Sequence, residues 1–265
     1  MILACQESLL PGASLLDKWQ FARDAGFDGI ELQGGKDFGE RLDEVRAAAE
    51  AGAVFPSVCV ATGPFIGAFD DGDRRWAIGH VKQLLSTVAA VGGRGVVTPA
   101  AYGMFSRFLP PYTPPRDAAG DREVLLDSLR ELGEHAGDVG AELYLEPLNR
   151  YEDHMLNRVE QAVELCEAVG HPALKVMGDT YHMNIEEADP VAALRAAGSR
   201  LRHVHLSDSN RLEPGAGHVD FDATLVALRA GGFDGILAFE GRLSGPADEV
   251  LPLSAGRMNA IWRSA

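Results

Sequence analysis

Short apolar runs alternate along the chain with longer stretches in which apolar residues recur every three or four positions, the rhythm of strands alternating with amphipathic helices. The runs are ILAC near the start, GIELQ after Asp28, VFPSVCV from Val54, GVVT ending at Thr98, ELYLE ending at Glu146, LKVMGD ending at Asp179, LRHVHLSD around His205 and GILAFE ending at Glu240. Between them lie helix candidates such as SLLDKWQFARDAG, which Ser14 can cap and Gly26 can end, and VEQAVELCEAVG, which ends at Gly170. GFDG occurs at Gly26 and again at Gly232, each time as a turn from helix to strand. Eight such strands match the number that closes a barrel of about 250 residues. The predicted fold is α/β, a single (β/α)8 TIM barrel over residues 1–265. A doubly wound sheet shares the rhythm, but no GxGxxG follows the first strand.

One connection is out of proportion. From Pro99 to Asp117, PAAYGMFSRFLPPYTPPRD carries five prolines and cannot be a helix. It reads as a lid, a binding loop or an oligomer contact; a domain linker is the plainer alternative, but the βα rhythm resumes beyond it without a change of composition.

Composition narrows the function. The chain has 265 residues, 46% hydrophobic and 24% charged, which suits a globular protein with a sizeable core. A formal net charge of -15 and the lack of any Lys/Arg run argue against nucleic acid as a partner. Cys5, Cys59 and Cys166 stand singly in apolar segments, the pattern of buried thiols in a reducing compartment, so a cytoplasmic location is expected. MILACQES has neither a basic n-region nor a long apolar h-region, and no segment reaches the ~18 apolar residues of a membrane span. A soluble protein without a membrane partner is expected.

Barrel enzymes carry their chemistry at the C-terminal ends of strands. Here the fifth strand ends at Glu146, the sixth at Asp179, the seventh near His205 and the eighth at Glu240. A buried carboxylate is costly without compensation, and three beside an imidazole would repel one another. A divalent cation is the simplest way to hold them together. The oxygen-rich set favours a six-coordinate ion, Mn²⁺ first, with Mg²⁺ or Co²⁺ as alternatives. Singly, a strand-terminal acid is more often a helix N-cap or a solvated loop residue; four at successive strand ends are harder to explain that way. His203 points to the same face as His205 but one layer deeper, where a hydrogen-bonded core residue is expected.

The stretches EPLNRYEDHMLN, GDTYHMNIEE, HVHLSDSNRLEPGAGHVDF and GFDGILAFE together resemble the D-tagatose and D-psicose 3-epimerases, the ketose 3-epimerase group of the xylose isomerase-like barrels. The resemblance runs from Glu142 to Glu240; before it only the βα pattern and GFDGIEL match. It implies a metal on Glu146, Asp179, His205 and Glu240, and sugar-hydroxyl contacts from Glu152, His182 and Arg211. It also implies an isomerase acting on a small sugar, with C3 epimerisation of a free ketose the leading expectation.

The chemistry is coherent with that expectation. A cation on the carbonyl and neighbouring hydroxyl oxygens makes the α-proton removable, and Glu146 and Glu240 on opposite sides of the sugar can act as base and conjugate acid. His182 can donate to a substrate oxygen or anchor Asp179; Arg211 can orient a hydroxyl or Glu240. Without a basic cluster or Gly-rich helix start for a phosphate, a free sugar is favoured over a sugar phosphate. Aldose–ketose or hydroxypyruvate isomerisation and inosose dehydration begin with the same proton abstraction and stand as alternatives. A non-catalytic sugar-binding barrel is more remote, and an apurinic endonuclease needs histidines that the first four strands lack. The assembly is left open, with a homodimer or homotetramer in view.

Overall fold

Each of the eight apolar runs forms a strand in the computed structural model of the chain, which describes residues 1–105 and 113–264. The strands are β1 (Ile2–Gln6), β2 (Gly29–Gly34), β3 (Ser57–Val60), β4 (Gly95–Pro99), β5 (Glu142–Glu146), β6 (Leu174–Asp179), β7 (Leu201–Leu206) and β8 (Ile236–Phe239). All pair in parallel in sequence order and β8 returns to β1, so the sheet closes into a barrel with no edge. The helices outside it are α1 (Leu15–Asp24), α2 (Leu42–Glu50), α3 (Asp71–Ala90), α4 (Ala118–Val139), α5 (Val159–Val169), α6 (Thr180–Glu186), α7 (Pro190–Ala197), α8 (Phe221–Ala230) and α9 (Ala247–Ser264).

Local signals set the boundaries. Ser14 accepts from the Asp17 amide and Asp17 returns a bond to the Ser14 amide, the reciprocal box that starts α1. Gly170, at φ 75°, ends α5 in the left-handed conformation. Three strands are shorter than the runs that predict them, and β7 stops at Leu206, before Ser207 and Asp208. Pro56 has no amide hydrogen for the ladder, so β3 begins at Ser57 rather than Val54. β8 stops at Phe239, which leaves Glu240 just beyond the strand.

The two-residue period sorts the strand side chains. Leu3, Ile30, Leu32, Val58, Leu143 and Leu237 face the helices in the main core. The opposite set fills the barrel: Ala4, Cys59, Val97, Tyr144, Met177, Ile236 and Ala238 pack together. Tyr144 needs a missing side chain on β4, since a Cβ on Gly95 would lie 2.7 Å from its ring and 2.2 Å from the Glu142 carbonyl oxygen. Glu146, Asp179, His205 and Glu240 lie in phase with these inward residues, one step further toward the C-terminal ends. Among the described residues, no helix is long and apolar enough to cross a membrane.

Candidate active site and metal centre

The four strand-end residues meet. One ligand atom from each of Glu146, Asp179, His205 and Glu240 lies within 4.8 Å of all the others. Asp179 and His205 pair directly across β6 and β7, and just past the end of β8 the Glu240 amide reaches the Leu206 carbonyl, which brings the last three together. His205 Nδ1 stands 2.9 Å from Glu240 Oε2, 3.4 Å from Glu146 Oε1 and 3.9 Å from Asp179 Oδ2.

The protonation pattern shows what the centre requires. His205 Nε2 is 2.7 Å from Glu31 Oε1, which is acceptor-only when ionised, so Nε2 carries a proton and Nδ1 is the ring atom turned to the three acids. His205 Nδ1 is buried without a hydrogen-bond partner of good geometry, and Glu240 Oε2, also buried, has the Arg211 guanidinium at 3.0 Å. A ring nitrogen aimed at three carboxylates calls for positive charge between them, a proton on Nδ1 or a cation in its place, and three carboxylates with one imidazole suit a hard divalent ion. The residues present therefore fit a metal, which Glu146, Asp179, His205 and Glu240 would hold.

The acids are tuned apart. Burial, with Glu240 and Asp179 nearby, pushes Glu146 up to about 7 against the pull of His205. Burial acts on Glu240 too, but the Arg211 guanidinium and His205 outweigh it and hold that carboxyl well below the usual range. Burial would lower His205, yet Glu240 and Glu31 raise it well above an ordinary imidazole.

Glu31 is the buried partner of the centre that the strand-end argument misses. It lies one layer below the centre, fully buried on β2, and accepts from His205 Nε2 and His203 Nε2 at 2.7 Å each, from Ser57 Oγ at 2.7 Å and from Gln6 Nε2 at 3.2 Å. Burial alone would raise its pKa; the two histidines hold it well below the carboxylate range instead. Glu31, His203 and His205 are also close enough to form a metal triad. Their direct hydrogen bonds make them a closed network, and His203 occupies the deeper layer expected for it. The sequence did carry a signal: an acid between Ile30 and Leu32, at an inward position of an apolar strand, needs partners as much as Glu146 does.

The remaining predicted residues line a cavity of 460 Å³ above the centre, together with Glu146 and Glu240. His182, in the first turn of α6, accepts at Nδ1 from the Asn149 amide at 3.1 Å, which places its proton on Nε2. That Nε2 is 3.7 Å from Asp179 Oδ2, too far for a hydrogen bond, and burial keeps the ring neutral by lowering its pKa. Arg211 bridges Asp179 and Glu240, with one guanidinium nitrogen 2.7 Å from Asp179 Oδ2 and the other 3.0 Å from Glu240 Oε2, and lies over the Tyr181 ring. Its φ of 63° is left-handed, and Arg211 is alone in this among the described non-glycine residues. Glu152 accepts from Asn149 Nδ2 at 3.1 Å. Asp153 beside it does not reach the cavity; it accepts from the amides of Ala101, Met155 and Leu156 and so ties the loop after β5 to the one after β4.

The proline-rich connection contributes Pro99 and Tyr102 to the cavity wall. Its far flank is pinned by Arg116, which donates to the Gly67 carbonyl and pairs with Asp121. Residues 106–112, the middle of that connection, lie outside the described residues.

Comparison with known proteins places the chain. A family model described as xylose isomerase-like TIM barrel matches residues 19–260. A 3-dehydro-D-guloside 4-epimerase of Escherichia coli (strain K12) is 40% identical over 250 residues, covering 94% of each chain. A ketose 3-epimerase of Arthrobacter globiformis is 32% identical over 253 residues, 92% of this chain and 82% of that one. Among solved structures, a 3-keto-D-glucoside 4-epimerase from E. coli superposes with a TM-score of 0.89 at 36% identity, covering 100% of both chains.

Proposed function

Because the chain belongs to the xylose isomerase-like TIM barrel family, we propose that this isomerase, a sugar epimerase, inverts the hydroxyl-bearing carbon next to a ketone, and that its substrate is a 3-keto glycoside inverted at C4. The observation that carries the reading is the Glu146, Asp179, His205 and Glu240 cluster beneath a cavity lined by Glu152, His182 and Arg211. A divalent cation held by those four residues would supply the positive charge that makes a proton next to a carbonyl removable.

The chain's own residues do the rest. Glu146 ends β5 and Glu240 follows β8, three strands away around the barrel, so they approach a substrate from different sides. One takes the proton from one face and the other delivers a proton to the opposite face, which inverts the carbon. His182 Nε2–H and the Arg211 fork donate to oxygens flanking the reacting carbon, and Glu152 accepts from a hydroxyl. Val60, Phe65 and Leu148 form an apolar side of the cavity and limit water around the enediolate.

The keto glycoside is favoured over a free ketose by the 40% identity to a 4-epimerase over 94% of each chain, against 32% for the ketose enzyme. The ketose reading, C3 epimerisation through the same centre, keeps the support of the EPLNRYED and DTYHMN stretches that supply Glu152 and His182. Incubation of the Mn²⁺-loaded protein with methyl 3-keto-glucoside and with D-fructose, D-tagatose and D-psicose, in deuterated water, separates them. Deuterium and inversion at C4 of the glycoside are expected. Turnover confined to the free ketoses would replace the first reading with the second, and no exchange in any of them would overturn both.

A further inference from the structure

A second depression, a groove of 730 Å³, runs outward from the catalytic cavity, and Phe65 and Tyr102 line both. Their rings meet edge to face with centroids 5.9 Å apart, and Tyr102 is 39% exposed, so one aromatic wall continues from the cavity into the groove. Beyond that wall the groove is lined by Phe69, whose ring packs against Arg116 and His154, by Lys36, whose ammonium lies 5.7 Å from the Trp76 ring centroid, and by Asp70 and Asp73. Asp70 uses Oδ1 to cap α3, accepting from the amides of Gly72 and Asp73, and has its other oxygen to offer; Lys36 and Asp73 are exposed.

The geometry of a pyranose connects the two spaces. The C3–C4 edge of the ring lies opposite the C1–O5 edge, so a 3-keto pyranoside with C3 and C4 over Glu146 and Glu240 turns its anomeric carbon toward the mouth. Whatever is attached at C1 must leave the cavity there. We propose that the groove is the subsite for that group and that the group is a second, neutral sugar ring, an inference that rests on the keto-glycoside reading above. Lining chemistry selects the class. Aromatic rings suit the C–H face of a sugar, and a lysine beside carboxylates suits its hydroxyls as donor and acceptor. A purely apolar aglycone leaves Lys36, Asp70 and Asp73 unused, while an anionic one meets two carboxylates.

The test compares a glucosyl-glucose disaccharide with methyl glucoside, whose single ring fills only the catalytic cavity. Calorimetric titration of the Mn²⁺-loaded protein should give a Kd about tenfold lower for the disaccharide, the scale of one additional well-made contact surface. The double variant Lys36→Ala/Asp73→Ala, which changes only exposed side chains, should erase that difference and leave methyl glucoside binding as it was. Equal affinity for the two sugars, or an equal loss for both in the variant, overturns the proposal. Turnover of the 3-keto forms of both compounds keeps the two readings apart. If neither form is epimerised while the disaccharide preference holds, the functional reading fails and the groove stands. If both are epimerised while affinities are equal, the groove fails and the functional reading stands.

Discussion

Glu31 on β2 reaches across the barrel interior to His205 on β7, its Oε1 2.7 Å from His205 Nε2, and its other oxygen lies equally close to His203 Nε2. One buried carboxylate thereby decides which nitrogen of His205 carries a proton and turns the other toward Glu146, Asp179 and Glu240. Orientation and tautomer of a ligand histidine are set in this way from behind.

Replacing Glu31 by Gln keeps the volume but brings an amide NH₂ against one of the two imidazole nitrogens, which forces a tautomer change on that ring. Affinity for Mn²⁺ should fall by about 10–100-fold. Calorimetric titration checks this, with the unfolding midpoint measured alongside. A wild-type metal Kd in the folded variant would show that Glu31 does not position His205.

Metal binding should depend on pH. Glu146, raised to about 7 by burial, holds a proton below that value, and His205, raised by Glu240 and Glu31, also holds one; both must be displaced for their atoms to serve as ligands. Affinity therefore falls as pH drops through 7, about tenfold per unit for each proton displaced. Titrations between about pH 5.5 and about pH 8, in buffers of differing ionisation enthalpy, should show proton release. An affinity flat over that range contradicts the assignment of these groups as ligands.

Glu146→Gln and Glu240→Gln each retain a weak oxygen ligand and lose a proton acceptor. Turnover at saturating Mn²⁺ should fall by ~10²–10⁴-fold or more in both. The variant that keeps the base on the substrate's own face should still wash the α-proton out into deuterated water without net inversion. Near-wild-type epimerisation by either one removes that residue from the proton-transfer pair.

Arg211 pairs with both Asp179 and Glu240 through two different nitrogens of its fork, a geometry one ammonium cannot copy. Arg211→Lys should raise KM and lower kcat by about 10–100-fold while the charge at the site is kept. It should also let the Glu240 pKa rise, moving the acid limb of the rate profile upward. A profile and KM unchanged from wild type would assign Arg211 to the loop alone.

Gly95→Ala places a methyl 2.2 Å from the Glu142 carbonyl oxygen and 2.7 Å from the Tyr144 ring. The barrel interior must shift to admit it, at a cost of about 1–3 kcal/mol. Urea unfolding measures the loss, and a stability equal to wild type would mean that Tyr144 moves freely.

The alternation of strands and helices is a local property, written in periods of two and of 3.6 residues, so the barrel and the strand-end placing of Glu146, Asp179, His205 and Glu240 could be read from the chain alone. Glu152, His182 and Arg211, which line the cavity, sit in short stretches of recognisable pattern. Boundaries were less so: Glu240 follows β8 rather than ending it, since pairing with β7 stops at Phe239. What closure of the barrel alone decides is which distant residues share the interior. Glu31 stands 174 positions before His205, and nothing in either neighbourhood names the other. The same holds for Phe65 and Tyr102, whose loops become one wall between cavity and groove only when β3 and β4 pair. Periodicity comes from backbone geometry within a few residues, whereas a shared buried carboxylate or a common wall comes from three-dimensional closure.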